Sequence, residues 1–220
     1  MNSLAMNYLQ TVETLPPSST LIIEAVSWET YQNLLQQIQD DSNVRLSYDQ
    51  GVLEIMTLSP RHEKWKGLFA HLLAVIVEAL DLNLISLGST TFSLPAMAQG
   101  VEPDDCFYIR HAAVMAKKDE VNLAVDPAPE LVVEIDISHR SLYKMPIYAN
   151  LGVAEIWRHD GTQVKFYRLL GKSYVEVESS DLFPFVTSAI LSQFLETGKE
   201  QGVIPMVRAF REWVQARLDG

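Results

Sequence analysis

One face of the segment 131–137 is entirely aliphatic, and the other carries two acids. Side chains in a β-strand alternate between faces, so Leu131 and the other odd-numbered residues face one way while Glu134 and Asp136 face the other. The two carboxylates would lie about 6–7 Å apart at a rise of ~3.3 Å per residue. The run is apolar enough for a central strand, where an acid needs a metal ion or another cation beside it. The pattern therefore predicts a central strand with a chemical role.

A second pattern, with a period near 3.6 residues, follows Ser59. Pro60 suits the first position of a helix, and Glu63 falls in the first turn. The apolar stripe of this helix has the i, i+3, i+4, i+7 spacing and comprises Trp65, Leu68, Phe69, Leu72, Leu73, Ile76 and Leu80. Other helices are predicted at Trp28–Gln39, Ser141–Asn150, Ser188–Thr197 and Ile204–Leu218.

Short apolar runs between turn residues predict the remaining strands. Val44–Tyr48 and Val52–Met56 flank Asp49-Gln50-Gly51 and are expected to form a hairpin. Further strands are predicted at Asn83–Leu87, Thr90–Leu94, Asp105–Ile109, Val153–Arg158, Gln163–Leu169 and Ser173–Val177. Because a strand–helix–strand unit follows the Glu134 strand, the predicted fold class is α/β (α+β with a mixed sheet). Helices flank the sheet, with the hairpin towards the N-terminus and two helices at the C-terminus.

The composition is that of a globular protein. The chain has 220 residues, of which 48% are hydrophobic and 20% charged, enough for one sizeable core. Its longest apolar run, Leu72–Val77, is far shorter than the ~20 residues of a membrane span, and Met1–Leu9 lacks the pattern of a secretory signal. The single cysteine, Cys106, fits a reducing compartment. A soluble, cytoplasmic protein with no membrane partner is therefore expected.

The net charge of −11 argues against a protein that coats nucleic acid non-specifically. Most of this acidity lies in the flanks, because Leu58–Lys172 holds 12 basic and 14 acidic residues for a net charge of −2. An enzyme that contacts DNA locally remains compatible with the distribution.

Pro103-Asp104 precedes Glu134 by about thirty residues, and a Pro-Asp followed later by Glu-x-Asp is typical of metal-dependent phosphodiester hydrolysis. Asp104, Glu134 and the carbonyl of Ile135 are candidate ligands for Mg²⁺, which needs only one or two carboxylates. Lys144, on the next helix, is placed to stabilise charge on the phosphate. Structural roles stay open beside these: Asp104 in a turn, Lys144 on a solvated helix face, and Asp136 as the partner of Lys144.

Two auxiliary candidates lie at the start of the long helix. At 100° per residue His62 falls within about 45° of the centre of the apolar stripe, whereas Glu63 points about 145° away. His62 is placed either to line an interior site or to serve as a hydrogen-bonded core histidine, and Glu63 to stabilise the helix N-terminus. The chain has no Gly-x-Ser-x-Gly elbow, phosphate-binding loop or dinucleotide motif, and its histidines show no ligand spacing.

Seven segments, taken in order, resemble the Uma-type restriction endonucleases of the PD-(D/E)XK nuclease superfamily. They are Tyr48–Met56, Ser59–Glu63, Gly88–Thr91, Val101–Ile109, Pro129–Asp136, Leu142–Tyr148 and Gly152–Trp157. The resemblance implies a restriction-endonuclease-like core, a mixed sheet of four or more strands flanked by helices. The resemblance runs from about Val44 to Trp213. We expect a nuclease domain at 27–187, between an N-terminal segment, 1–26, and a C-terminal helical extension, 188–220, packed on the same domain.

The resemblance also implies roles for individual residues. Asp104 and Glu134 match the two metal-binding acids, so Mg²⁺ or Mn²⁺ is the expected cofactor and DNA the expected substrate. The lysine of the family motif is replaced here by Asp136. Lys144 fits the alternative position, on the next helix, that some members of the superfamily use.

Three functions follow as hypotheses. The first is a metal-dependent endodeoxyribonuclease with Asp104, Glu134, Asp136 and Lys144 as its catalytic residues. The second is a catalytically silent nuclease fold that binds nucleic acid or supports assembly. In the third, a structural interaction protein, Glu134 and Asp136 pair with Lys144 and Arg140. A homodimer would suit cleavage of both DNA strands, and one candidate interface is the C-terminal helix face formed by Val207, Phe210, Trp213 and Val214.

Overall fold

The computed structural model describes residues 8, 11, 14–38, 43–137 and 144–219. The helices in these ranges are α1 (Trp28–Gln37), α2 (Pro60–Ala79), α3 (Ala112–Met115), α4 (Lys144–Leu151), α5 (Ser188–Gln201) and α6 (Val203–Leu218). The strands are β1 (Thr20–Ile23), β2 (Val44–Asp49), β3 (Val52–Thr57), β4 (Ile85–Ser86), β5 (Phe92–Leu94), β6 (Gln99–Val101), β7 (Asp105–Tyr108), β8 (Leu131–Ile135), β9 (Glu155–His159), β10 (Val164–Leu170) and β11 (Ser173–Val177). The predicted helix ends at Gln39 and Ser141 lie outside the described residues.

The predicted hairpin is formed by β2 and β3. Its two turn residues, Gln50 and Gly51, both have positive φ, at 46° and 105°. Such turns match the right-handed twist of the paired strands. Within the described ranges the hairpin belongs to a five-stranded antiparallel sheet of order β1-β3-β2-β6-β5. The sequence pattern did not predict β1 or β6.

A second sheet, of six strands in the described ranges, has the order β11-β10-β9-β8-β7-β4. β8 and β9 run parallel, with α4 in the connection between them, and their neighbours pair antiparallel. The predicted mixed sheet with flanking helices is therefore confirmed. The division at residues 27 and 188 remains a prediction.

The central strand β8 separates two hydrophobic cores. Leu131, Val133 and Ile135 pack in the core that also contains α2, α5 and α6. Val132 packs on the opposite face with residues of α4. This confirms the predicted alternation and leaves Glu134 on the α4 face, because alternate strand residues share a face.

The long helix α2 begins as predicted. The side chain of Ser59 accepts a hydrogen bond from the amide of His62, and Pro60 occupies the first turn. Phe210 and Val214 of α6 are fully buried in the core with α2. The proposed dimer face on this helix is therefore wrong, because it packs within the chain itself. No helix of the described ranges has the length and apolarity needed to cross a membrane.

Two helical glycines give opposite expectations for the same substitution. A Cβ on Gly67 in α2 would meet nothing within 4 Å, so Gly67→Ala should raise the free energy of unfolding by about 0.5–1 kcal/mol. A Cβ on Gly198 in α5 would lie 2.5 Å from the sulfur of Met206 and 2.8 Å from Leu68 Cδ2. Both neighbours are buried, so Gly198→Ala should lower the free energy of unfolding by roughly 1–2 kcal/mol. Urea denaturation of both variants measures the contrast, and a stabilised Gly198→Ala protein would contradict the α2–α5–α6 packing.

Candidate active site

Three separate segments meet at the point in the six-stranded sheet where β7 begins and β8 ends. Asp104 immediately precedes β7, Glu134 lies near the end of β8, and Lys144 begins α4. β7 and β8 are antiparallel, with Asp105 opposite Val133, so the start of one strand lies beside the end of the other. The exposed fractions of Asp104, Glu134 and Lys144 are 1%, 3% and 3%. The structure thus brings together three of the four residues that the sequence singled out as catalytic.

Glu134 is held by two donors from α4. The Nζ of Lys144 lies 2.9 Å from Oε2, and the hydroxyl of Tyr148 donates to Oε1. Lys144 and Tyr148 are four residues apart and therefore share one face of the helix. Sequence reasoning missed Tyr148, and its i, i+4 spacing from Lys144 was the one signal that pointed to it.

The charges of Glu134 and Lys144 are strongly coupled. Burial raises the pKa of Glu134 to about 8, with Lys144 opposing the rise and Asp104 and Asp136 adding to it. Burial alone would lower the pKa of Lys144, but the facing carboxylates of Glu134 and Asp104 raise it above its ordinary value. Lys144 is therefore a buried ammonium at neutral pH.

Asp104 has one satisfied and one unsatisfied oxygen. Oδ2 accepts a hydrogen bond of 2.6 Å from the amide of Ile135. Oδ1 is buried and has no hydrogen-bond partner among the described residues. Burial raises the pKa of Asp104, but His62, Lys144 and the Ile135 amide together bring it below its ordinary value. An ionised, buried oxygen without a donor is costly, and a bound cation or a water molecule at this position would satisfy it.

His62 lies in the first turn of α2, buried and directed at the site. Its Nε2 is 2.9 Å from Asp104 Oδ2, off the direction of a hydrogen bond, and its Nδ1 is 3.2 Å from Glu63 Oε1. Burial lowers the pKa of His62, but Asp104 and Glu63 outweigh this and raise it. Glu63 itself is half-exposed. His62 therefore lines the interior site, one of the two roles left open for it.

Asp136 pairs with Arg158, not with Lys144. The Nε of Arg158 lies 2.5 Å from Asp136 Oδ2. The parallel register of β8 and β9 explains the contact, because it sets Arg158 opposite Glu134 and next to Asp136. The predicted pairing of Asp136 with Lys144 is thus wrong, and Arg140 lies outside the described residues.

The oxygen donors suit a hard divalent cation. Asp104 offers a carboxylate oxygen without a hydrogen-bond donor among the described residues, and burial, with the charges of Asp104 and Asp136, raises the pKa of Glu134. Within the described ranges no three His, Cys, Asp or Glu side chains form a complete ligand set. A cation bound by two carboxylates would keep several waters, which is the usual state of Mg²⁺ and is also acceptable to Mn²⁺.

A cleft of about 510 Å³ borders the site through Glu102. The carbonyl of Glu102 accepts a hydrogen bond from Lys144 Nζ at 3.3 Å. Its carboxylate accepts one from the amide of Leu46 at 2.8 Å and one from the hydroxyl of Thr91 at 2.7 Å. The rest of the cleft is lined by both polar and apolar side chains, among them Arg45 and Ser89. The cleft is thus connected to the site through Glu102, whose carbonyl contacts Lys144.

Comparisons with known proteins agree on a nuclease fold. The Uma2 family, described as "Putative restriction endonuclease", matches residues 28–200. The fold is similar to that of a solved structure, a "putative nuclease belonging to DUF820" from Anabaena variabilis ATCC 29413. That match has 12% sequence identity and a TM-score of 0.50, and covers 77% of this chain and 99% of the other. No curated protein matches the chain.

Proposed function

The chain belongs to the Uma2 family, and from this membership and the buried Asp104–Glu134–Lys144 site we propose a Mg²⁺- or Mn²⁺-dependent endonuclease that hydrolyses DNA phosphodiester bonds. The observation that carries the proposal is the unsatisfied, buried Oδ1 of Asp104, beside an acid whose pKa is raised. A purely structural ion-pair cluster has no need of such an oxygen, since burying it unpaired is costly.

In this proposal Asp104 and Glu134 hold the ion, with the carbonyl of Ile135 as the third protein ligand. When bound, a divalent ion there would supply an activated water and compensate charge on the phosphate. Lys144 adds a fixed positive charge where negative charge develops in the reaction.

The remaining polar residues orient this centre. His62 holds Asp104 Oδ2 from the α2 side, and Glu63 stabilises the protonated form of His62. Arg158 fixes Asp136, which we assign as an auxiliary acid near the reacting water. Each of these contacts limits rotation of a carboxylate and so preorganises the site.

We extend the proposal to the setting of the reaction. The substrate is DNA, and a homodimer provides the two active sites needed to cut both strands. The working compartment is the cytoplasm, where Cys106, buried in β7, stays reduced.

Cleavage of supercoiled plasmid, single-stranded DNA and mixed-sequence genomic DNA tests the proposal. We expect nicked or shortened products with Mg²⁺ or Mn²⁺ and none with EDTA. The genomic substrate samples many sequences, so a narrow sequence requirement would still give products. Cleavage of equal rate in EDTA would refute the metal dependence, and intact DNA on all three substrates would refute the nuclease activity.

A catalytically silent module is the second candidate, because Asp136 replaces the motif lysine and both oxygens of Glu134 already accept hydrogen bonds. The melting temperature with millimolar Mg²⁺ or Mn²⁺ separates the two. A ligand at a hundredfold excess over Kd stabilises the folded state by about 2.7 kcal/mol. A silent module that has lost its ion would melt at the same temperature with metal and with EDTA.

A further inference from the structure

Glu134 accepts hydrogen bonds from two different kinds of donor on the same helix face. Lys144 is charged and reaches Oε2, whereas Tyr148 is neutral and reaches Oε1. A neutral hydroxyl fixes the direction of a carboxylate without cancelling its charge, which a metal ligand must keep. The two α4 residues therefore have different effects on any cation that Glu134 binds.

The ring of Tyr148 is itself fixed by packing. It is 1% exposed and lies in the core formed with Val132, Ile147 and Ile156. The surrounding core holds the ring, and with it the hydroxyl, beside Glu134. The hydrogen bond to Glu134 is thus built into the fold, as are the outer partners that orient ligands in metal sites.

We propose that Tyr148 is a positioning residue of the nuclease site, whose hydroxyl holds Glu134 in the orientation that binds the divalent cation. The inference rests on the proposed function and deepens it. Lys144 contributes a positive charge to the metal site, whereas Tyr148 only orients the carboxylate of Glu134. Loss of the hydroxyl leaves Oε1 without its donor and lets the carboxylate turn, which weakens the cation site by the 10–100-fold typical of lost outer partners.

The test compares Tyr148→Phe with Tyr174→Phe. Tyr174 belongs to the same core and donates a 2.7 Å hydrogen bond to the carbonyl of Val153, with no contact to Glu134. Both variants lose one partly or fully buried hydroxyl bond, so both should show a lowered melting temperature in EDTA. Only Tyr148→Phe should change the response to metal.

The readouts are the Mn²⁺ concentration for half of the maximal rise in melting temperature, and the Mg²⁺ concentration for half-maximal cleavage. We expect both concentrations to rise 10–100-fold in Tyr148→Phe and to stay at the wild-type values in Tyr174→Phe. If the metal titration curves of Tyr148→Phe coincide with those of the wild type, the positioning role is refuted, whereas the proposed nuclease activity is not. If the melting temperature of the wild type does not change with Mn²⁺ and the wild type cuts no DNA, both the proposed nuclease activity and the role of Tyr148 are refuted. Phenylalanine keeps the whole ring in its core, and if Tyr148→Phe melts too low for the assay, the same midpoints are measured for all three proteins at a lower temperature at which each is folded.

Discussion

Lys144→Met is expected to lower the free energy of unfolding by about 3–5 kcal/mol, the cost of breaking a buried ion pair at one partner. Lys144 is 3% exposed, pairs with Glu134 and also donates to the carbonyl of Glu102. Without it the pKa of Glu134 would rise further, so this buried acid must either take up a proton or stay ionised near Asp104 and Asp136 with no ammonium in contact, and both are costly. Urea denaturation in EDTA measures the loss without any contribution from metal binding.

Lys165→Met is the matched control, because Lys165 forms an exposed pair with Glu176 at 3.2 Å. Its loss should cost at most about 1 kcal/mol. The double variant Lys144→Met, Glu134→Gln removes both charges and should recover much of the loss, since a neutral pair is often tolerated in a core. A loss below about 1 kcal/mol for Lys144→Met would contradict the buried pair. Loss of fold in Glu134→Gln alone does not separate a metal site from a structural ion pair, because Lys144 loses its partner in both.

Asp104→Asn is expected to reduce metal-dependent DNA cleavage by a factor of about 10²–10³, the range found when one preorganised electrostatic group is removed. The amide keeps the shape of the side chain and can still accept from the Ile135 amide. It cannot supply the ionised oxygen that the unsatisfied Oδ1 offers. The initial rate of nicking of supercoiled plasmid at fixed Mg²⁺ measures the effect.

Asp105→Asn is the control for this prediction. Asp105 is the next residue, is also buried, and accepts hydrogen bonds from the hydroxyl of Ser86 and the amide of Cys106. The same substitution there removes a buried acid that points away from the site, so cleavage should remain within a few-fold of wild type. Equal loss in both variants would trace the effect to the strand β7 and not to the carboxylate of Asp104.

The residues that the sequence identified correctly are those whose position depends on local periodicity. The alternation in β8 assigned Glu134 to the face opposite Leu131, Val133 and Ile135, and the stripe in α2 placed His62 towards the interior. Both inferences use only the period of a strand or a helix. They needed no knowledge of which elements pair.

The missed features depend on contacts between distant segments. The strands β1 and β6 have four and three residues, too few to show a period, and form because β3 and β2 pair with them. Arg158 meets Asp136 through the parallel register of β8 and β9, which the local pattern leaves undefined. Tyr148 in a helix looks like any core aromatic residue until its hydroxyl is seen to contact Glu134.

The two sheets are joined where they meet the site. Glu102 holds Leu46 with its carboxylate and Lys144 with its carbonyl. Gln99 bridges Asp49 and Asn150, with 2.8 Å to each, and so ties the hairpin to the end of α4. Local opening of the five-stranded sheet would remove these two links to α4 at once. Amide hydrogen exchange at Leu46, whose N–H donates to Glu102, would therefore report how often the hairpin separates from the segments that carry the site.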